Sequence, residues 1–281
     1  MRYICLFIFI TISFCVLSGC VQSGRKKVMR PDPWICFYGE VNNKHDFSKY
    51  KLAILEQDNV KNLDQIKEQG TICIAYVSLG EAEDYRWYWD EMKHKDFVLE
   101  ENPDWEGNYY IDPLSEQWKQ YFIYRVIPKV LKDGYDGLFL DTIDTAEYLE
   151  WKDEEKYKGA MDAMAELIKA IRKNYPRIII ISNNGLAIID KFAPYVDIAL
   201  VEDLYTMYDF EKNEYGSQDV ETTKENRQLL QKISREYNIP VLTLEYSDKQ
   251  KEIKHIYERS RVDGFYPYVG DIHLERFPGK N

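Results

Sequence analysis

The 281-residue chain carries 48 Asp and Glu against 37 Lys and Arg, a formal net charge of −11. At 45% apolar and 30% charged it can bury a full core, which excludes disorder as its main state. The acidic balance disfavours nucleic acid and anionic membrane surfaces as partners and favours neutral or cationic ligands. With 23 Tyr, 12 Phe and 6 Trp, the chain has rings enough for stacking surfaces as well as a core.

Residues 1–20 read MRYICLFIFITISFCVLSGC: one Arg, an apolar run slightly short for a membrane span, then small residues immediately before Cys20. The pattern resembles the lipobox of bacterial lipoproteins, against an uncleaved transmembrane anchor as the alternative. It implies a signal peptide over 1–19, a lipid on Cys20, a polar tether over 20–33 and one folded domain over 34–281. The protein is thus expected to be exported and lipid-anchored to a bacterial membrane, in the cell envelope. Cys36 and Cys73 would remain in the folded part. They fall on the predicted first and third strands, and alternate strands lie about 9–10 Å apart. An undistorted disulfide needs under about 7 Å, so two buried thiols are expected. There is no CxxC or HExxH, and the four histidines are scattered, so no metal and no cofactor is expected.

After the tether, short apolar runs alternate with amphipathic helices. The runs are 34–38 (WICFY), 52–55 (LAIL), 71–77 (TICIAYV), 138–140 (LFL), 178–181 (IIII), 198–201 (IALV), 241–244 (VLTL) and 265–268 (FYPY). They are nearly continuous in apolar residues, as strands buried on both faces must be. The clearest helix is predicted over 153–175, where Tyr157, Met161, Met164, Ile168, Ile171 and Tyr175 share one face. Others are predicted over 223–237 and after Ser247, a plausible N-cap. Asp136-Gly137 and Asp263-Gly264 are expected to end helices with a residue at positive φ before a buried strand. Eight strands with helical crossovers give the arithmetic of a (β/α)8 TIM barrel, an α/β fold. An open doubly wound sheet is the alternative. The loop after the first strand reads GEVNNKHD, which is no phosphate-binding fingerprint. Residues 80–136 form a long aromatic-rich insertion after strand three, opening on the C-terminal mouth where barrel active sites sit. Its rings could wall the mouth or form a small core of their own.

Polar residues follow each run: Glu40, Glu56, Glu81, Asp141, Asp144, Glu202, Asp203 and Glu245, with Asn183, Asn184, Tyr246 and Tyr268. No Gly-x-Ser-x-Gly is present and no histidine ends a strand, so a nucleophilic triad is excluded. Paired carboxylates in an aromatic cleft are the equipment of a glycosidase. More than two carboxylates qualify, and pattern alone does not choose the pair.

The segments WICFYGE, AYVSLGEAEDYR, NPDWEGNYYID, GYDGLFLDTIDT, ISNNG, IALVEDLYT and LTLEYSD together resemble the glycoside hydrolase family 114-like barrels, the endo-α-1,4-polygalactosaminidase family and its bacterial relatives. The resemblance spans about 34–271 and implies that Asp141 and Glu202 are the catalytic carboxylates. Glu202 is assigned the general acid role and Asp141 that of nucleophile or base, since a glutamate reaches further and its pKa is readily raised by an apolar wall. Tyr38, Tyr76, Ser78, Glu81, Arg86, Trp105, Asp112, Asp144, Asn183, Asn184, Tyr205, Tyr246 and Tyr268 are the candidate substrate-binding residues. The chain is expected to act as a monomer on an α-linked amino-sugar polysaccharide or oligosaccharide, preferring free amines to acidic polymers. The strand-four segment lacks the first Asp usual in the characterised hydrolases. That keeps open a second reading, a non-catalytic carbohydrate-binding lipoprotein using the same mouth.

Overall fold

A computed structural model describes residues 30–278. The expected signal peptide, Cys20 and all but the last residues of the tether lie outside the described residues. Eight parallel strands run in the order of the chain: Trp34–Phe37, Leu52–Leu55, Ile72–Ser78, Gly137–Asp141, Ile179–Asn183, Ile198–Glu202, Val241–Tyr246 and Tyr266–Gly270. Each pairs with the next in parallel. The eighth returns to the first, where the Trp34 indole donates to the Tyr266 carbonyl at 3.0 Å. This nearly closed (β/α)8 barrel follows from strands apolar on both faces. Every residue of the first two strands is buried, and the helices cover the outer surface.

The helix Ala160–Asn174 buries Met164, Leu167, Ile168 and Ile171 as its spacing requires. It starts after Gly159, at φ 89°, not at residue 153. Residues 153–159 form turns, although Tyr157 is buried as expected. The helix Val220–Tyr237 is capped by Asp219, which accepts from Thr222 N. The N-cap of the helix Gln250–Val262 is Lys249, two residues beyond the expected Ser247, whose Oγ accepts from Lys249 N at 3.2 Å. Gly264 takes φ 90° as expected, whereas before strand four the positive φ belongs to Gly134, at 101°. Gly137 already lies in the strand, where a Cβ would come within 2.1 Å of the Ile179 carbonyl oxygen. Cys36 and Cys73 are buried free thiols.

Two additions decorate the mouth. The insertion after strand three folds its own antiparallel sheet, with Asn108–Ile111 between Glu81–Glu83 and Val98–Glu101. After strand six, Thr206–Asp209 and Glu214–Ser217 make a hairpin that the apolar runs did not announce. The insertion is rooted at Gly80. A Cβ there would lie 2.3 Å from the Thr142 carbonyl oxygen and 2.7 Å from Thr145 Cβ, so only glycine lets it press against the loop after strand four.

Candidate active site

Strands four, five and six end on Asp141, Asn183 and Glu202. Each is followed by a non-glycine residue at positive φ: Thr142 at 58°, Asn184 at 48° and Asp203 at 54°. Such backbone costs about 1–3 kcal/mol per residue and survives only where neighbours hold it. Thr142 Oγ1 accepts from Gly80 N at 2.8 Å and Leu79 N at 3.2 Å. Asn184 Oδ1 accepts from Glu202 N at 3.0 Å, and Asp203 Oδ1 accepts from Thr206 Oγ1 at 2.9 Å. The left-handed step turns the chain sharply off each strand, so the last side chain of the strand stays at the mouth.

Asp141 and Glu202 meet through Asn183. Its amide nitrogen donates to Asp141 Oδ1 at 2.7 Å and to Glu202 Oε1 at 2.6 Å, so those two oxygens are at most about 5.3 Å apart. The outer oxygens are also held: Tyr76 OH donates to Asp141 Oδ2 at 2.8 Å, and Tyr246 OH donates to Glu202 Oε2. Burial, with the Asp141 charge second, pushes the Glu202 carboxyl up to about 8, although its hydrogen bonds to Tyr246 and Asn183 favour the ionised form. The shift favours the carboxylic acid form of Glu202, beside a second carboxyl group that carries two oriented donors.

The pair sits at the floor of a cleft of about 900 Å³. Eight carboxylates line it: Glu56, Glu81, Glu83, Glu106, Asp141, Asp144, Glu147 and Glu202. Among its lining residues there is no lysine or arginine. Glu81 is buried and satisfied by Asn102 at 3.0 Å, Asn108 at 3.2 Å and Thr145 at 3.3 Å, while burial raises its pKa.

Of the candidates read from sequence, Tyr38, Tyr76, Glu81, Trp105, Asp144, Asn183, Asn184 and Tyr246 line this cleft with the carboxylate pair. The other five have different surroundings. Arg86 is buried beneath the wall, bound to Glu83 at 2.7 Å, Glu56 at 2.5 Å and Asp58 at 2.9 Å. Ser78 bonds Thr142 Oγ1, Tyr205 OH donates to Asp263, and Asp112 accepts from Leu114 N in the turn before the helix Glu116–Tyr121. Tyr268 packs inside the barrel 5.4 Å from the Trp34 ring. Strand position alone cannot separate a residue that faces the mouth from one that faces the helices. Among the strand-end carboxylates, Glu40 pairs with exposed Lys61 outside the cleft.

Asp203 and Glu245 are not among the residues that line the cleft. Glu245 is fully buried, and its Oε2 accepts from Tyr205 N, Thr206 N and Thr206 Oγ1 at 2.9–3.0 Å. The same Thr206 hydroxyl lies 2.9 Å from Asp203 Oδ1. One hydroxyl proton is thus shared between two carboxyl groups, an arrangement that a proton on either of them relieves. Burial pushes Glu245 up to about 8 and Asp203 to about 6.

Sequence reading overlooked Asn102, Asn108, Glu106, Glu147, Tyr148 and Trp151, all of which line the cleft. The last three had a signal. Asp144, Glu147, Tyr148 and Trp151 are spaced three to four apart around the helix Thr145–Lys152, which places them on one face.

The model of the glycoside-hydrolase family GH114 matches residues 22–279. A Thermotoga maritima protein is 29% identical over 230 residues, covering 74% of this chain and 68% of its own length. A Methanocaldococcus jannaschii protein is 32% identical over 232 residues, covering 74% and 64%. Among solved structures, the glycoside hydrolase domain of PelA from Pseudomonas aeruginosa has a TM-score of 0.75 at 22% identity, over 88% of this chain and 97% of that one. The Aspergillus fumigatus Ega3 complex with galactosamine has a TM-score of 0.63 at 15% identity, over 87% and 92%. At these identities both share the fold.

Proposed function

This chain belongs to glycoside-hydrolase family GH114, and from that premise we propose that it is an envelope-anchored endo-glycosidase that cleaves an α-linked amino-sugar polysaccharide, an endo-α-1,4-polygalactosaminidase in type. The observation that carries the reading is the Asn183 bridge, which joins Asp141 to a Glu202 of raised pKa at the floor of an acidic cleft. Glu202 protonates the glycosidic oxygen as the bond to the anomeric carbon breaks. Asp141 attacks that carbon and forms a glycosyl ester. Glu202, now ionised, takes a proton from the water that displaces Asp141. The bridged oxygens, at most about 5.3 Å apart, are compatible with this retaining course, for which carboxyl groups lie about 5–5.5 Å apart. Tyr76 and Asn183 orient the nucleophile, and Tyr246 holds the acid.

The substrate follows from charge. Arg86 pairs with Glu56 and Glu83, and Glu202 serves as the acid. The other lining carboxylates, with no lysine or arginine among the lining residues, concentrate cations in the cleft, so a polymer with free amines is favoured over alginate or pectate. Ega3 was captured with galactosamine, which accords with that choice. Export and the lipid on Cys20 belong to the same reading, since a polysaccharide outside the cytoplasm requires an enzyme held there. The test is reducing-end release from de-N-acetylated α-1,4-galactosamine polymer, with alginate and pectate as acidic comparisons. Asp141→Asn and Glu202→Gln should each abolish release with nearly unchanged circular-dichroism melts. Full activity in either variant would remove the assignment, and release only from the acidic polymers would remove the substrate.

A further inference from the structure

Beyond the carboxylate pair, the cleft runs along a wall for which the chemistry above has no use. Trp151 lines the cleft from the last turn of the helix Thr145–Lys152, yet 81% of it is exposed to solvent. Tyr148, one turn earlier, lies ring to ring 6.3 Å from Trp151 and 5.1 Å from Tyr110, so the three rings follow one another along the wall. Trp105, half exposed in the turn of the insertion, also lines the cleft and meets Phe210 of the hairpin edge-on at 5.6 Å. Carboxylates accompany these rings: Glu106 follows Trp105 and Glu147 precedes Tyr148, and both line the cleft. The wall already holds one ammonium. Lys152 Nζ lies 5.6 Å from the centre of the Tyr148 ring and 5.9 Å from that of Tyr110, with Glu100 as its counter-ion.

An indole this exposed adds little to the core and carries an apolar face in water. A hexosamine unit matches such a surface twice. The C–H face of its ring covers an aromatic plane, and its ammonium meets a carboxylate or the π face itself. We propose that this wall is a distal binding arm for further units of an amino-sugar polymer, with Trp151 as its stacking platform. Trp105 with Glu106 extends it on the insertion. The inference rests on the glycosidase reading and adds to it the path of the bound chain. An arm that grips units remote from the cleaved bond makes the enzyme prefer long chains and cut internally, because remote contacts are lost as the chain shortens.

The test compares kcat/KM on the shortest cleavable α-1,4-galactosamine oligomer with kcat/KM on long polymer, for wild type, Trp151→Ala and Trp151→Phe. Tyr124→Ala, an exposed aromatic outside the cleft, is the control. A sugar face on an indole covers apolar surface equivalent to one or two methylenes. The long-to-short ratio should therefore fall about tenfold in Trp151→Ala, recover in part in Trp151→Phe, and stay put in the control. A Trp151→Ala ratio equal to wild type, in an enzyme that cleaves the oligomers, overturns the arm and leaves the glycosidase reading intact. No release by wild type from any oligomer or polymer overturns that reading and the arm with it.

Discussion

Replacing Asn183 with alanine withdraws the amide that touches both carboxylates. Each bond to an ionised carboxylate is worth about 1.5–3 kcal/mol, and two unit charges about 5 Å apart repel by about 3 kcal/mol at an effective dielectric of 20. The burial that already lifts Glu202 to about 8 remains, and one of the two donors opposing it disappears. Its pKa should rise by a further 1–2 units, at about 1.4 kcal/mol per unit. Because Glu202 must be protonated to act as the acid, the alkaline limb of the kcat/KM profile moves to higher pH by the same about 1–2 units. The maximum falls about 10- to 100-fold, since Asp141 loses one of its two orienting donors. The fold should survive, because Asn183 Oδ1 is buried with no protein partner and its removal offsets part of the loss. The assay is a pH series of initial rates on the amino-sugar polymer, with a melt at each pH. A limb that stays in place or moves to lower pH would refute both the bridge and the role of Glu202.

Two further outcomes concern stability. The folded state favours protonated Glu245, so its contribution is full below about pH 4.5 and is lost as pH rises towards 8, by up to about 5 kcal/mol at 1.36 per unit. Glu245→Gln cannot ionise, so its melting temperature should fall much less than that of wild type between those pH values; an equal fall would show that Glu245 is not protonated in the fold. Gly80→Ala would ordinarily stabilise by about 0.4–1 kcal/mol through the unfolded chain, but here its Cβ meets backbone at 2.3 Å. Chemical denaturation should instead show a loss of about 1–3 kcal/mol, and a gain would mean that the insertion does not sit on the loop after strand four.

The barrel was legible because a strand buried on both faces leaves an unbroken apolar run, and all eight runs overlap observed strands. The additions were not. The strands of the insertion sheet and the hairpin are only three or four residues long and lack alternation: Glu81–Glu83 is buried throughout, and Glu214–Ser217 has two exposed ends around half-buried Tyr215 and Gly216. Gly137 was misread because a glycine before a strand can supply either a positive φ or room for a neighbouring backbone, and here it supplies room beside Ile179. At the site, the strand ends were visible but their direction was not. Tyr268 illustrates this: it stands at the end of an apolar run as the mouth residues do, yet it is buried against the Trp34 ring and does not line the cleft. Trp151 lies on a helix, away from the strand ends, and its helical spacing from Asp144 is the only sequence signal it carries.

The three left-handed residues behind Asp141, Asn183 and Glu202 also bear on how such an enzyme can change over time. Each side chain is tied to the element beside it: Thr142 to the exit of strand three, Asn184 to Glu202, and Asp203 to Thr206. The bond-breaking groups are therefore set by an arc of the barrel rim that closes on itself through local bonds. Trp105 and Trp151 lie outside that arc, on the insertion and on the helix after strand four. The molecule is modular in consequence: its decorations can be lengthened, trimmed or repainted with other side chains while the rim stays fixed, so a lineage can move to a new polymer without rebuilding its chemistry.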